Sequence, residues 1–599
     1  MKQKPNLLFT FIVAIALGLS NTLNAQEIPK VHSHNDYNQK VPFWNAFSAE
    51  VNSIEVDIFL KNNTLYTTHS EVDIIKNRTI ENLYLNPLQQ ALQLGFRDHK
   101  NLQILIDVKS EAYKTLHKII DVLKNYPSLI ETNKITFTIS GNRPKPSDYK
   151  NYPNFIKFDY QSLDNISSEA WKKVALISLD YNKFSKWNGK GRFTKNDKQK
   201  VINVIKKAHS FKKPFRFWGT PDSKTAWKAF SDLGVDFINT DMPFACHQYV
   251  KNLQYHTYTN TLFSKVYKPT FKDDQKNKPV KNVILLIGDG NGLTQISAAT
   301  LANKGSLTLT QLKSIGLIKT QSTDDFTTDS AAAGTALATG EKTYNRAIGV
   351  DTLTNSLKNI TEILQEHHFN TGIITTDEII GATPAAFYAH QKDRDDTDKI
   401  AQDLITSNLN FFAGGGEKYF KDFGDFEIVN SIETIPLSKN KKIGFFMANK
   451  SVPSILDGRK NILADITTQG LTFFKDKKTP FFLMVEGAKI DTFGHFNNVG
   501  GIITEGIDFD KAITQAIKFA DANEGTLVII TADHETSGFS IPQGSIKTHK
   551  IEGDFTTHDH TGTMVPIFAY GPHSNEFSGV YENTEVFHKI LSLLKVSEK

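Results

Sequence analysis

Short apolar runs alternate with helix-like amphipathic stretches over residues 27–255. The runs are Ser53–Phe59, Leu102–Val108, Ile135–Ile139, Phe155–Phe158, Val174–Leu179, Phe215–Trp218 and Phe237–Asn239. Strands separated by single helices cannot pair as hairpins, so this alternation predicts a parallel sheet. Seven or eight such units predict a closed (β/α)8 TIM-like barrel. Residues 256–280 interrupt the pattern. They are polar and lysine-rich, ending in TFKDDQKNKPVKN, and read as a linker. A second α/β pattern fills 281–599. Its runs Val283–Ile287, Thr371–Thr375, Phe481–Val485 and Leu527–Thr531 are apolar and rich in β-branched residues, as strands buried on both faces require.

Residues 1–25 read differently. Lys2 and Lys4 precede the apolar run Leu7–Leu19, followed by polar residues and Ala25. The run is too short to span a bilayer comfortably and has the form of a secretory signal peptide cut after Ala25. A periplasmic or secreted protein is expected, with no transmembrane segment in the mature chain.

Composition narrows the chemistry. The 599 residues are 39% hydrophobic and 22% charged, which excludes a disordered or fibrous chain. A net charge of +5, with scattered lysines, gives no reason to expect nucleic acid as the main partner. The single cysteine, Cys246, excludes a disulfide framework and any cysteine-rich metal site. It is expected to pack as a small apolar group, and Trp218 either to shape the barrel mouth or to pack in its core. Any metal must be held by carboxylates, imidazoles and hydroxyls.

Such residues follow the strands of the second half. Asp289 follows VILLIG; Ser330 opens the small-residue run in TTDSAAAGTALATG; Thr383 lies in GATPAAFYAH, with Arg394 eleven residues on. Glu486, Asp491 and His495 lie in VEGAKIDTFGH, Asp533 and His534 in TADHETSG, and His560 in HDHTG. Open α/β sheets gather ligands beyond the carboxyl ends of their strands, so one shared site is expected. Asp, His, Ser and Thr there are donors suited to zinc and magnesium.

These stretches, in this order over about 281–596, resemble the alkaline phosphatase family. The resemblance implies an α/β sandwich holding two zinc ions and one magnesium. It assigns the first zinc to Asp491, His495 and His560, the second to Asp289, Asp533 and His534 beside Ser330, and magnesium to Asp289, Thr383 and Glu486. Ser330 would be the nucleophile, its alkoxide favoured by a divalent cation. Arg394 would grip the substrate phosphate through its planar fork. Gly381 departs from the Asp or His that many members carry there, and Thr492 from a Lys or His. Ser330 lacks the Cys/Ser-x-Pro-x-Arg setting of the related sulfatases.

The first half holds a second set. His32 and His34 lie in VHSHNDY, Glu55 and Asp57 in SIEVDIF, His69 in YTTHS, and Asp107 and Lys109 in LIDVKS. Residues two apart on a strand share a face, so these would converge at a barrel mouth. Three carboxylates suit Ca²⁺ or Mg²⁺, and paired histidines suit acid/base work. The set resembles the phospholipase-C-like phosphodiesterase barrels, which include glycerophosphodiester phosphodiesterases. HSHNDY resembles a branch related to altered-inheritance-of-mitochondria proteins. The resemblance implies Glu55, Asp57 and Asp107 as metal ligands, Lys109 as a phosphate contact, and an acid/base pair of His69 with His32 or His34, the spacing to Asn35 favouring His32. His69-Ser70 replaces the usual His-Asp, and the His-Arg-Gly of the glycerophosphodiesterases is absent.

A diesterase beside a monoesterase implies sequential release of phosphate from small phosphoesters, including lipid-derived headgroups. The alternatives are a barrel that only binds headgroups or substrate, or an enzyme dominated by phosphodiesterase activity.

Overall fold

The computed structural model describes residues 28–96 and 101–597. The signal-peptide expectation for 1–25 lies outside the described residues. The described residues divide into two compact units, separated after residue 253.

In the first unit, β1 (Lys30–Ser33), β2 (Ser53–Lys61), β4 (Leu102–Val108), β5 (Ile135–Gly141), β6 (Ile156–Tyr160), β7 (Val174–Asp180), β8 (Phe215–Trp218) and β9 (Phe237–Thr240) run parallel in sequence order. Pairing of β1 with both β2 and β9 closes the barrel. A further strand, β3 (Thr64–Thr67), folds back antiparallel onto β2. The turn between them holds Asn62 and Asn63 at φ 48° and 60°, the left-handed pair that a two-residue hairpin needs. The helix after β4, Ala112–Leu123, shows why these elements form. Glu111 caps its first amides, and Leu116, Ile119, Ile120 and Leu123 recur on one face and bury against the barrel. Cys246 is fully buried, as its apolar reading expects.

Among the described residues, the first strand of the second unit is β10 (Thr257–Thr259), and the unit's main sheet has ten strands. These are β11 (Asn282–Gly288), β12 (Ser314–Lys319), β13 (Asn370–Glu378), β14 (Phe411–Gly415), β15 (Glu427–Ile428), β16 (Ile443–Ala448), β17 (Phe481–Gly487), β18 (Thr526–Thr531), β23 (Val565–Tyr570) and β24 (Gly579–Glu582). Strand β11 lies centrally, parallel to β17 and β18. Its side chains alternate between two cores. Ile284 and Leu286 join the core under the helices Ile462–Lys477 and Val499–Ala522. Val283, Leu285 and Ile287 join the core under Ser330–Thr339, Ile360–Glu366 and Thr584–Leu594. The result is an α/β sandwich. A small sheet of β10, β20 (Ser540–Ser545) and β21 (Lys550–Asp554) stands apart, as does the antiparallel pair β19 (Glu535–Thr536) and β22 (His560–Thr561).

Residues 256–280 are fastened to the second unit. Strand β10 pairs with β21, Ser264 donates to Asp510 at 2.9 Å, and Tyr267 donates to Asp521 at 2.7 Å. Their linker-like composition reflects an exposed outer side, while these few tyrosine and hydroxyl groups do the anchoring.

Candidate active sites

In the second unit the motif residues converge at the carboxyl ends of β11, β13, β17 and β18. Ser330 is 4% exposed, and its hydroxyl lies 3.2 Å from His534 Nε2. Ser330 is the first residue of the helix Ser330–Thr339, whose cap, Asp329, accepts from the Ala332 amide at 2.9 Å. The other Asp329 oxygen accepts from Arg394 Nη1 at 3.1 Å, which ties the arginine to the start of this helix. His534 Nε2 is 3.3 Å from Asp533 and 3.5 Å from Asp289. His495 and His560 approach Asp491 at 3.3 and 3.4 Å. Backbone carbonyls of His558 and Thr328 accept from their other ring nitrogens, which aims Nε2 of each inward. A cavity of about 310 Å³ opens over Ser330, Arg394, Asp491, His495 and His560.

The buried carboxylates crowd one another. Burial and the charge of Asp533 drive Asp289 far above the ordinary carboxylate range. Burial and Asp491 push Asp533 to about 6, and burial and Asp377 push Glu486 to about 8. Asp491 lies well below its ordinary value despite burial, because His495 and His560 bond to it. Asp289 Oδ1, Asp533 Oδ2 and the Thr383 hydroxyl oxygen are buried without a hydrogen-bond partner. Native proteins rarely leave such atoms unpaired, and a divalent cation is what oxygen and imidazole donors in this arrangement fit. Donor atoms of Asp289, Asp533 and His534 lie within 4.8 Å of one another, as do those of Asp491, His534 and His560. Asp377 was not singled out from the sequence, where it reads as one more acid after a strand.

In the first unit, Glu55, Asp57 and Asp107 also bring oxygens within 4.8 Å of one another. Asp57 and Asp107 stand opposite each other on β2 and β4, and each keeps one buried unpartnered oxygen. Gly141, at φ 64°, passes so close that a Cβ there would lie 1.8 Å from Asp107 Oδ1. Lys109 Nζ stands 3.3 Å from both Asp57 and Asp107. Burial and the charge of Glu55 raise Asp107 to about 6.

The two N-terminal histidines separate. His32 is completely buried, its rings bonded to Ser53 at 2.8 Å and Glu55 at 2.7 Å, with Arg216 against the same Nε2. Burial and Arg216 lower its pKa to about 3. His34 and His69 instead line a cavity of about 490 Å³ with Glu55, Asp107, Lys109 and Trp218. Asp241 holds His34 Nδ1 at 2.8 Å, and Asp57 holds His69 Nδ1 at 2.8 Å. The expectation that favoured His32 therefore meets a side chain sealed from the cavity. The deciding residue is Arg216, which sequence reasoning passed over. Its one signal is a charged side chain between two phenylalanines in the strand FRFW.

Comparison with known proteins bears on both units. The alkaline phosphatase family matches residues 280–431, 432–553 and 543–596. The chain belongs to the alkaline phosphatase family. It is 30% identical over 418 residues to alkaline phosphatase 4 of Bacillus subtilis, spanning 54% of this chain and 91% of that protein. It is 29% identical over 414 residues to the alkaline phosphatase of Escherichia coli, spanning 54% and 88%. The solved alkaline phosphatase of the Antarctic bacterium TAB5 superposes with a TM-score of 0.51 at 42% identity, over 54% of this chain and all of that one. Variants of the TAB5 enzyme hold magnesium in a site termed M3. In the first unit, the AIM6-like phosphodiesterase domain matches residues 22–103, and the glycerophosphoryl diester phosphodiesterase family matches residues 214–243. The second unit is thus a phosphatase domain, and the barrel is phosphodiesterase-like at the level of its family. Among the described residues, no helix is long and apolar enough to cross a membrane.

Proposed function

We propose that this is a secreted or periplasmic enzyme that hydrolyses phosphate monoesters through a phosphoserine on Ser330, fed by a barrel that cleaves phosphodiesters. The observation that carries the reading is the Ser330 hydroxyl, at a helix N-terminus, facing His534 beside unpaired buried carboxylate oxygens. Two zinc ions are assigned to Asp491, His495 and His560 and to Asp289, Asp533 and His534, and magnesium to Asp289, Thr383 and Glu486. The chemistry that such ions supply when bound is a lower pKa for an attacking hydroxyl and neutralisation of the phosphate.

The chain's own groups do the rest. Arg394, held by Asp329, offers its fork to two non-bridging phosphate oxygens. The free amides at the start of the Ser330 helix favour the same negative charge. Ser330 Oγ bonds to phosphorus as the ester oxygen leaves with a proton. Water then cleaves the phosphoserine, giving inorganic phosphate and restoring the hydroxyl.

In the barrel, Glu55, Asp57 and Asp107 are assigned a Ca²⁺ or Mg²⁺ ion. His34 and His69, each backed by an aspartate, serve as acid and base. Lys109 reaches toward the phosphate. Hydrolysis there yields an alcohol and a phosphomonoester, which is a substrate for the second unit. Small phosphodiesters, including those of lipid headgroups, suit this sequence.

Product analysis tests the reading. Glycerophosphocholine should yield phosphate with the intact protein and a phosphomonoester with Ser330→Ala. With Glu55→Gln it should stay intact while p-nitrophenyl phosphate is still hydrolysed. An untouched diester in the intact protein would remove the barrel's role and leave a phosphatase carrying a binding module.

A further inference from the structure

Gly381 stands four residues after Asp377, just before the short helix Ala382–Ala385. Its φ of −57° is open to any residue, so backbone conformation does not require glycine here. Room does. A Cβ at 381 would lie 2.5 Å from Asp377 Oδ2 and 3.2 Å from its Cγ. The space a side chain at 381 would take is filled by the Asp377 carboxylate.

That carboxylate belongs to the surroundings of Thr383 and Glu486. The Asp377 amide donates to the Thr375 hydroxyl at 2.8 Å, and that hydroxyl donates to Glu486, so the two acids share one partner; after burial, the charge of Asp377 is also the strongest influence on Glu486. Thr383 is 1% exposed, and its hydroxyl oxygen makes no hydrogen bond of ordinary geometry although it lies near enough to Glu486 to lower that carboxyl's pKa. Lys489 opposes the charge of Asp377, but its ammonium is bonded to the Ser451 hydroxyl at 3.0 Å.

We propose that Asp377 supplies a further carboxylate oxygen to the magnesium ion assigned to Asp289, Thr383 and Glu486, and that Gly381 is glycine to let it reach. The inference rests on that assignment. Magnesium takes six oxygens in a strict octahedron, and the three assigned side chains leave positions open. An all-oxygen shell also selects magnesium over zinc, which prefers imidazole.

The test uses full-length protein stripped with chelator, reloaded with zinc and titrated with Mg²⁺ by calorimetry, with metal content measured in parallel. Asp377→Asn should weaken Mg²⁺ binding by about tenfold or more with zinc content unchanged. It should also lose most of the rise in unfolding temperature that Mg²⁺ gives. Gly381→Asp alone should unfold at lower temperature, because Asp377 occupies its space. The double variant Asp377→Ala/Gly381→Asp should recover both that temperature and most of the Mg²⁺ affinity. Unfolding temperatures without Mg²⁺ separate a folding defect from a lost ligand. Wild-type affinity in Asp377→Asn would overturn the inference and leave the magnesium assignment standing. A zinc-loaded wild type that takes up no Mg²⁺ would overturn both.

Discussion

Both units close their strands on clustered carboxylates, but they neutralise them differently. In the barrel the chain brings its own cations: Lys109 stands 3.3 Å from Asp57 and Asp107, and Arg216 stands 2.9 Å from Glu55. In the phosphatase unit, among the described residues, no lysine or arginine forms an ion pair with Asp289, Asp533 or Glu486; His534 faces the first two and the Thr375 hydroxyl donates to the third. A fixed ammonium satisfies a carboxylate whether or not a metal arrives. His534, the imidazole beside Asp289 and Asp533, is held well below its ordinary value by burial, so it stays neutral and leaves their charge standing. The phosphatase centre is therefore built to depend more heavily on added cations than the barrel centre, where Lys109 and Arg216 offset part of the carboxylate charge.

The largest effect should separate the two reactions. Ser330→Ala removes the proposed attacking atom, so monoester turnover should fall by roughly 10⁴-fold or more, as loss of a nucleophile does elsewhere. Diester cleavage, followed by appearance of the phosphomonoester, should continue at the wild-type rate. Equal loss of both activities would mean that one centre performs both.

Next come the two histidines. His34→Ala should lower diester cleavage by about 10²–10⁴-fold, the range of one general acid or base. His32→Gln should act mainly on folding, costing about 1–3 kcal/mol by leaving buried groups of Glu55 and Arg216 imperfectly paired. If His32→Gln abolishes turnover at unchanged stability, His32 and not His34 is the proton carrier.

That pair also marks the limit of what the chain reveals before it folds. The long runs, such as Val283–Ile287 and Phe481–Val485, announce their strands because burial on both faces demands unbroken apolar sequence. The four-residue β1 does not, since one of the two strands that hold it, β9, lies far along the chain. The phosphatase motifs are legible because each sits directly after its own strand and the sheet aligns the strand ends. His32 and His34 are two apart and alike locally. Their separation depends on Arg216, 184 positions from His32, which seals one and leaves the other at the cavity. Asp377 is hidden for a similar reason, since only folding shows that it fills the space above Gly381.

Metal removal should sharpen the contrast in stability. With zinc at about 1,000 times its dissociation constant, binding adds about 4 kcal/mol to the phosphatase unit. A chelator should lower that unit's unfolding temperature by several degrees and abolish phosphate release. The barrel, whose carboxylate charge Lys109 and Arg216 partly offset, should shift less. Calorimetry of the intact protein with and without chelator reads both, with the barrel transition identified by its shift in His32→Gln. An equal shift of the two transitions would contradict the division of charge drawn above.

The smallest effect tests the barrel's self-neutralisation most directly. Asp107 has its folded pKa raised from 3.8 to about 6, by burial and the charges of Glu55 and Asp57, with Lys109 only partly offsetting them. The folded chain therefore holds this proton more tightly than the unfolded chain. Stability should fall as pH rises from about 4 to about 6, and the full penalty should persist above that window. Two pKa units correspond to on the order of 2–3 kcal/mol. Asp107→Asn removes the charge, so in chelator at pH 7 it should be more stable than wild type by about that amount, and nearly equal at pH 4. The same change should abolish diester cleavage, because it removes a proposed metal ligand. A variant less stable than wild type at pH 7 would mean that the Lys109 bridge outweighs the crowding of the carboxylates. The barrel site would then be a salt-bridged interior that contributes to folding, and its claim to chemistry would rest on the cavity histidines alone.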